Sequence, residues 1–291
     1  MQVVYHLGAP STDDNMLIKS LLKNRARLAP EGIVVPPPGR YRNFLRDTAR
    51  ELEGLPASPE MQDQLLDAIA DEDHVERLVL SDPRFVCINR LVVQGHRIWP
   101  MIERRTRLLR NLFPGSETEF FIGMRDPATL IPALFRASRF SDFAEFTENM
   151  LPRDVRWSEM LGRLRRAHPD ARITVWCNED TPLIWDEIMS AMAGLPSPEG
   201  LEGREDLVQH IMEPAGFRRL TAYLAKHMID NETQRRRIVA AFLGKYARAE
   251  AMEEELVAPG WTQEMLDEIS EAYDADMERV AEIHEVDFIT P

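Results

Sequence analysis

His6, Gly8, Ser11 and Thr12 lie close together near the start of the chain, where one periodicity gives way to another. Val3-Val4-Tyr5-His6-Leu7 is β-branched and aromatic, as a buried strand requires, and Gly8 ends it. After Ser11-Thr12-Asp13-Asp14, the residues Met16, Leu17, Leu21 and Leu22 repeat at helical spacing. Strand, glycine turn and helix in that order bring free backbone N–H groups and the positive end of a helix dipole to a strand's carboxyl end. Many α/β proteins hold phosphate or sulfate there. A phosphate-cradling loop normally adds further glycines and a lysine. Here Gly8 stands alone, Ser11 is where a lysine would help, and Asp13 and Asp14 carry the wrong charge. The turn therefore reads equally as an anion cradle and as a turn that binds nothing. A carboxylate at the helix start would satisfy orphan N–H groups and complement the dipole, so the chain would cap its own anion site. His6 shares a strand face with Val4 and reads either as a general base toward an acceptor hydroxyl or as a hydrogen-bonded core histidine.

Further candidates end other apolar runs. Arg77-Leu78-Val79-Leu80-Ser81 reads as a strand halted by Asp82-Pro83, which leaves Ser81 at its carboxyl end as a turn cap or a nucleotide contact. Glu119-Phe120-Phe121-Ile122-Gly123-Met124 delivers Arg125-Asp126-Pro127. Arg125 would anchor phosphate through its planar guanidinium or pair with a carboxylate. Glu179 and Asp180 read as turn and helix-capping residues rather than an acid–base pair. Asp13, Asp14 and Asn15 are adjacent and make a poor cation cage, so no metal site is expected. Cys87 and Cys177 have neither metal-ligand nor disulfide spacing, and Cys177 reads as inert. Arg42, Arg46 and Arg50 align on one helical face, and Arg235-Arg236-Arg237 form a triplet; both read as solvated.

The elements that must hold these residues alternate. Ile33-Val34-Val35 and Ile173-Thr174-Val175-Trp176-Cys177 add two more strands, and helical patterns over Arg40 to Arg50, Met61 to Ile69, Pro100 to Phe113, Leu130 to Phe135 and Trp157 to Ala167 separate the runs. Pro36-Pro37-Pro38-Gly39 breaks regular structure. This alternation predicts an α/β fold, a mainly parallel sheet flanked by helices in a three-layer sandwich. Beyond Asp180, Trp185 to Met192, Leu207 to Met212, Phe217 to Lys226 and Glu232 to Arg248 read as helices without intervening strands, and Pro196, Pro198 and Gly200 mark a joint. The expected division is an α/β core over 1–195 and a helical extension over 196–291 packed on it, one compact unit overall. Thr262 caps a last helix whose stripe runs Leu266, Ile269, Tyr273, Val280 and Ile283, with its acids facing out.

A hydrophobic fraction of 44% and a charged fraction of 29% over 291 residues are those of an ordinary globular protein. The net charge of −14 argues against a general nucleic-acid binder. From Glu250 to Pro291 there are 14 Asp and Glu against the single Arg279, which is −13 and leaves the rest of the chain at −1 by subtraction. No apolar run approaches the roughly 18 to 20 residues that span a membrane. No basic and apolar leader precedes the first strand, so a reducing cytoplasm is the expected location.

His6-Leu7-Gly8, Asn24-Arg25-Ala26-Arg27-Leu28 with Gly32-Ile33, Leu80-Ser81, Phe113-Pro114-Gly115, Met124-Arg125-Asp126-Pro127 and Val175-Trp176-Cys177-Asn178-Glu179-Asp180, in that order and spacing, span most of the chain. Together they resemble the bacterial branch of the sulfotransferase family. The resemblance implies a P-loop-type α/β fold that binds 3′-phosphoadenosine 5′-phosphosulfate and passes its sulfuryl group to a hydroxyl or amine of a small-molecule or glycan acceptor. Mapped residue by residue, it assigns Gly8, Ser11 and Thr12 to the 5′-phosphosulfate, Arg125 and Ser81 to the nucleotide and His6 to the base. Where the family carries lysine, threonine and glycine this chain has Ser11, Thr12 and Asp13, and where it carries serine eight residues after the arginine this chain has Ala133. The competing class is a non-catalytic binding or scaffolding protein on the same fold, without cofactor. The acidic last helix would then serve as a protein-partner surface, and that amphipathic helix leaves a homodimer open.

Overall fold

A computed structural model describes residues 1–72, 74–229, 231–248 and 258–291. The strands are β1 (Gln2–Gly8), β2 (Ile33–Val34), β3 (Arg77–Ser81), β4 (Val93–Gln94), β5 (Arg97–Ile98), β6 (Glu117–Met124), β7 (Arg172–Cys177) and β8 (Val286–Ile289). The helices are α1 (Met16–Leu22), α2 (Arg25–Leu28), α3 (Pro38–Glu51), α4 (Pro59–Ile69), α5 (Ile102–Arg110), α6 (Pro127–Arg136) and α7 (Phe143–Thr147). They continue with α8 (Trp157–Ala167), α9 (Thr181–Ala193), α10 (Asp206–Ile211), α11 (Pro214–Lys226), α12 (Glu232–Tyr246) and α13 (Gln263–Ala281).

Six strands form one parallel sheet in the order β2-β3-β1-β6-β7-β8, and β4 and β5 make a separate antiparallel pair. The α/β expectation holds, and the reason is visible in β1. Val3, Tyr5 and Leu7 face one apolar layer with Leu45, Ile102, Phe120 and Leu161, while Val4 faces the other with Leu17, Val79, Trp185 and Ile188. A strand buried on both sides reads as an unbroken apolar run, and each fully buried Val, Leu or Phe contributes roughly 1.5 to 3 kcal/mol. From β1 the chain goes to the edge strand β2, returns to β3 beside β1, and then crosses to β6 and β7 on the other side. The carboxyl end of β1 is therefore the point at which the strand order reverses, where such sheets open a crevice.

Three expectations are corrected. The helix read over Arg40 to Arg50 begins at Pro38, because a proline in the first turn lacks only an N–H that would be unpaired there anyway. The region after residue 196 is not wholly helical: Val286–Ile289 pairs in parallel with β7 as a sixth strand, while Val208, Leu220, Val239 and Leu243 of α10, α11 and α12 form a small cluster of their own. The acids of α13 do not all face out. Asp276 is 1% exposed and accepts from the backbone N–H of Ser158 at 3.0 Å and from its hydroxyl, which caps α8 from outside the helix. The first part of the acidic segment, 249–257, lies outside the described residues.

His168 closes α8 against α5. It is 1% exposed, with Nε2 2.7 Å from Thr106 Oγ1 and Nδ1 3.1 Å from Arg110 Nη1. Arg110 can only donate, so Nδ1 accepts and the ring proton sits on Nε2 of a neutral imidazole. Burial, and then the Arg110 charge, push its pKa down to about 4. An unfolded histidine titrates near 6.5. As pH falls below that value the unfolded chain takes the proton first, and the folded state loses stability until about pH 4. Urea unfolding at about pH 7 and pH 5 is expected to show the wild type losing about 2 kcal/mol more than His168→Gln. Equal losses in the two proteins would contradict this assignment.

Candidate functional site

The carboxyl ends of β1, β3, β6 and β7 meet at one edge of the sheet, and each delivers a residue that the sequence singles out: Gly8, Ser81, Arg125 and Glu179. Gly8 has φ +98°, and a Cβ there would lie 2.9 Å from the Pro10 nitrogen and 3.3 Å from Pro83 Cα. The glycine is needed for a close approach to Pro83, within the protein. The chain leaves the sheet through a cis Gly8–Ala9 peptide, and the Ala9 N–H donates to the Gly123 carbonyl at 3.0 Å.

The turn is held by its own side chains. Thr12 Oγ1 donates to the Ala9 carbonyl at 2.6 Å. Ser11, Asp14 and Asn15 adopt left-handed φ values of 61°, 46° and 64°, which aspartate and asparagine tolerate better than most residues. Asp13 takes two of the donors that the start of α1 offers: its carbonyl accepts from the Met16 N–H at 2.7 Å and its carboxylate from the Leu17 N–H at 3.0 Å. The helix that opens here is also short, at 7 residues.

Two arginines grip this turn. Arg125, 6% exposed, donates to the Ser11 carbonyl and, through Nε, to Thr129 Oγ1 at 2.9 Å. Its own carbonyl accepts from the Trp157 indole at 2.9 Å. Arg42 donates to Asn15 Oδ1 at 2.6 Å and to the Ser81 carbonyl at 2.9 Å, and lies 3.9 Å from Asp82. Sequence reading places Arg42 on a solvated face with Arg46 and Arg50; the other two are exposed, and only Arg42 turns inward over the sheet edge. Its spacing carries no signal that separates it from them. Ala133, where the resembling family has serine, is buried in α6.

His6 is 1% exposed. Its Nδ1 lies 2.9 Å from Ser81 Oγ, its ring stacks on Trp176 with centroids 5.8 Å apart, and its Nε2 has no protein partner. Trp176 reaches it because Gly123 leaves room: a Cβ there would sit 3.2 Å from the indole. Burial lowers the His6 pKa against the pull of Asp13, so the ring is neutral at pH 7. Two pairs of predicted residues are thus brought together, His6 with Ser81 and Ser11 with Arg125. Thr12 faces its own turn.

The β6 and β7 ends carry carboxylates. The Asp126 side chain caps α6 through the Ala128 N–H at 2.8 Å and accepts from Ser270 Oγ at 2.5 Å. Glu179 accepts from the Asp126 N–H at 3.0 Å and from the Tyr273 hydroxyl at 3.1 Å, so it ties together other elements instead of capping its own helix, and Asp180, at the N-cap of α9, makes no side-chain capping bond. Burial raises the Asp126 pKa, with Ser270 opposing. Packed neighbours raise that of Glu179 too, but this residue is exposed, so water screens much of the effect. Ser270 and Tyr273 come from α13, remote in sequence, and nothing local marks them as part of this edge. Among the described residues, no group of three or more His, Cys, Asp or Glu is placed to hold a metal ion.

If Asp13 serves as a cap, Asp13→Ala is expected to cost about 1 kcal/mol and Asp13→Asn, which keeps an acceptor oxygen, clearly less. Urea unfolding of the three proteins decides it. A gain in stability on Asp13→Ala would mean that the carboxylate is kept against repulsion for another purpose.

Comparison of the chain with protein-family models, with curated proteins and with solved structures finds no match.

Proposed function

We propose that this chain is a binding protein on a sulfotransferase-like α/β fold whose nucleotide turn is closed by the protein's own groups, and that it does not transfer sulfuryl groups. The observation that carries this reading is the Asp13 carboxylate 3.0 Å from the Leu17 N–H, an internal anion where the family would place an external one. The surrounding charge supports it. Asp13, Asp82, Asp126 and Glu179 gather at the sheet edge, and the two cations that reach the turn, Arg42 and Arg125, already donate to Ser81, Asn15 and Ser11. Turning Arg125 toward a phosphate would take its donor from the Ser11 carbonyl, and turning Arg42 would take its donor from Asn15 Oδ1, while the Ser81 carbonyl would keep the Tyr41 hydroxyl.

No helix of the described residues is long and apolar enough to cross a membrane. A cytoplasmic location belongs to the same proposal and suits the free thiols of Cys87 and Cys177. The binding role also retains the acidic face of α13 as the partner surface, with a homodimer as one form of it.

Sulfuryl transfer from 3′-phosphoadenosine 5′-phosphosulfate is the second reading. The sheet order favours it, since β1 lies between β3 and β6 and its turn falls where the strand order reverses; so does His6, neutral and with Nε2 unpartnered below that turn. In that case His6 would take the acceptor proton, and Gly8, Ser11, Thr12, Ser81 and Arg125 would hold the nucleotide.

A thermal-shift titration with 3′-phosphoadenosine 5′-phosphate separates the two. Ligand at about 100 times its dissociation constant adds roughly 2.7 kcal/mol, which is readily seen in a domain of this size. The wild type is expected to show no shift and the Ser11→Lys, Asp13→Gly double variant to gain one. A shift in the wild type that Arg125→Ala abolishes would overturn the proposal and establish a nucleotide site.

A further inference from the structure

Away from the Gly8 turn, a cavity of about 280 Å³ opens between α3, the chain that follows β3, and the start of α5. That volume falls just short of the range of small-molecule sites, which runs from about 300 Å³ upward. Arg46 and Arg50 line it from α3, Arg84 from the segment after β3 and Arg105 from α5, and no Asp or Glu is among its lining residues. Its walls are otherwise mostly apolar, with Phe85, Val86, Leu91 and Trp99, and Gln94 is a further polar side chain in the lining. Ile88 and Met101 also line it while staying exposed to solvent.

Two donors enclosed behind this wall have no partner. Trp99 is 0% exposed and its Nε1–H meets no acceptor. Its ring stands perpendicular to that of Trp157, with centroids 5.9 Å apart, and an aromatic ring is a far weaker acceptor than an oxygen. The Nε of Arg105 is enclosed and unpartnered too, and the Arg105 guanidinium makes no hydrogen bond or ion pair among the described residues. The other three arginines have carboxylates near them: Asp47 lies 3.6 Å from Arg46 and 3.3 Å from Arg50, and Asp82 lies 3.9 Å from Arg84. Those arginines are exposed, and such contacts leave much of each guanidinium open to a further acceptor.

A buried indole N–H and a buried guanidinium edge, both without acceptors, are costly to leave dry. Both atoms are enclosed behind the cavity wall, whereas the outer N–H groups of Arg105 are not, and a planar guanidinium matches carboxylate, sulfate and phosphate in particular. We infer that this cavity binds a small organic anion, an apolar body set against Phe85 and Leu91 that carries one carboxylate, sulfate or phosphate group toward Arg105 and the other arginines of the lining. The inference goes beyond the proposed function and holds whether or not the Gly8 turn takes a nucleotide.

Calorimetric titration of the full chain with naphthoate, naphthyl sulfate and naphthyl phosphate tests it, with naphthol as the neutral comparison. At least one anion is expected to bind with a dissociation constant of about 1 mM or below, and naphthol at least about tenfold more weakly. Arg105→Gln is expected to weaken the anion about tenfold or more while leaving naphthol unchanged, and Arg105→Lys to recover part of the loss. Arg50→Gln, at an exposed position where folding is not at stake, is expected to weaken the anion about twofold. Failure of all three anions to bind, equal affinity for naphthol, or anion binding indifferent to both Arg105→Gln and Arg50→Gln would overturn the inference.

Discussion

Burial of β1 on both faces is the constraint on which the rest of the structure depends. A strand in the middle of a parallel sheet has its backbone groups paired on either side by β3 and β6, and its side chains covered by a helical layer above and below. Its buried imidazole, His6, must then find its partners inside: Nδ1 meets Ser81 on the neighbouring strand and the ring lies on the face of Trp176. The same burial decides what happens where β1 ends. The backbone has to leave a crowded sheet edge with its polar groups satisfied, so Ala9 donates to Gly123, Thr12 folds back on Ala9, and Asp13 takes the first N–H groups of α1.

Viewed this way, the residues that suggest chemistry are also those that close the edge. Arg125 and Arg42 hold the turn against α6 and α3, Asp126 caps α6, Glu179 accepts from the Asp126 N–H, and the two carboxylates receive the hydroxyls of Ser270 and Tyr273. The chain's last helix thereby becomes part of the same edge, and β8 follows it to add a strand beside β7. A phosphate-binding turn needs donors held ready and unpaired; here several of those donors already have partners within the protein.

What could be read from the sequence follows from how local each signal is. The strands of the sheet centre are legible because strands buried on two faces are continuous apolar runs, and α8 is legible because Met160, Leu161 and Leu164 repeat at helical spacing. Val286-Asp287-Phe288-Ile289 is not, since a short edge strand that includes Asp287 has no run long enough to stand out, and the β4 and β5 strands are only two residues each. Asp13 as a cap is legible from its place before a helical stripe. The inward turn of Arg42, apart from Arg46 and Arg50, and of Asp276, apart from the other acids of α13, is decided by what lies across the packed interface: the Ser81 carbonyl in one case and the Ser158 N–H in the other. Neither partner is near in sequence.

The most direct test of the closed turn is an amide chemical-shift titration of isotope-labelled protein with pyrophosphate, read at the backbone N–H groups from Gly8 to Leu17. The expected result is that these amides do not move while the Leu17 N–H stays protected from hydrogen exchange, its carboxylate acceptor in place. Saturable shifts of the Ser11, Thr12 and Leu17 amides, with Leu17 changing its hydrogen-bond partner, would contradict the account and show that the turn opens to an external anion.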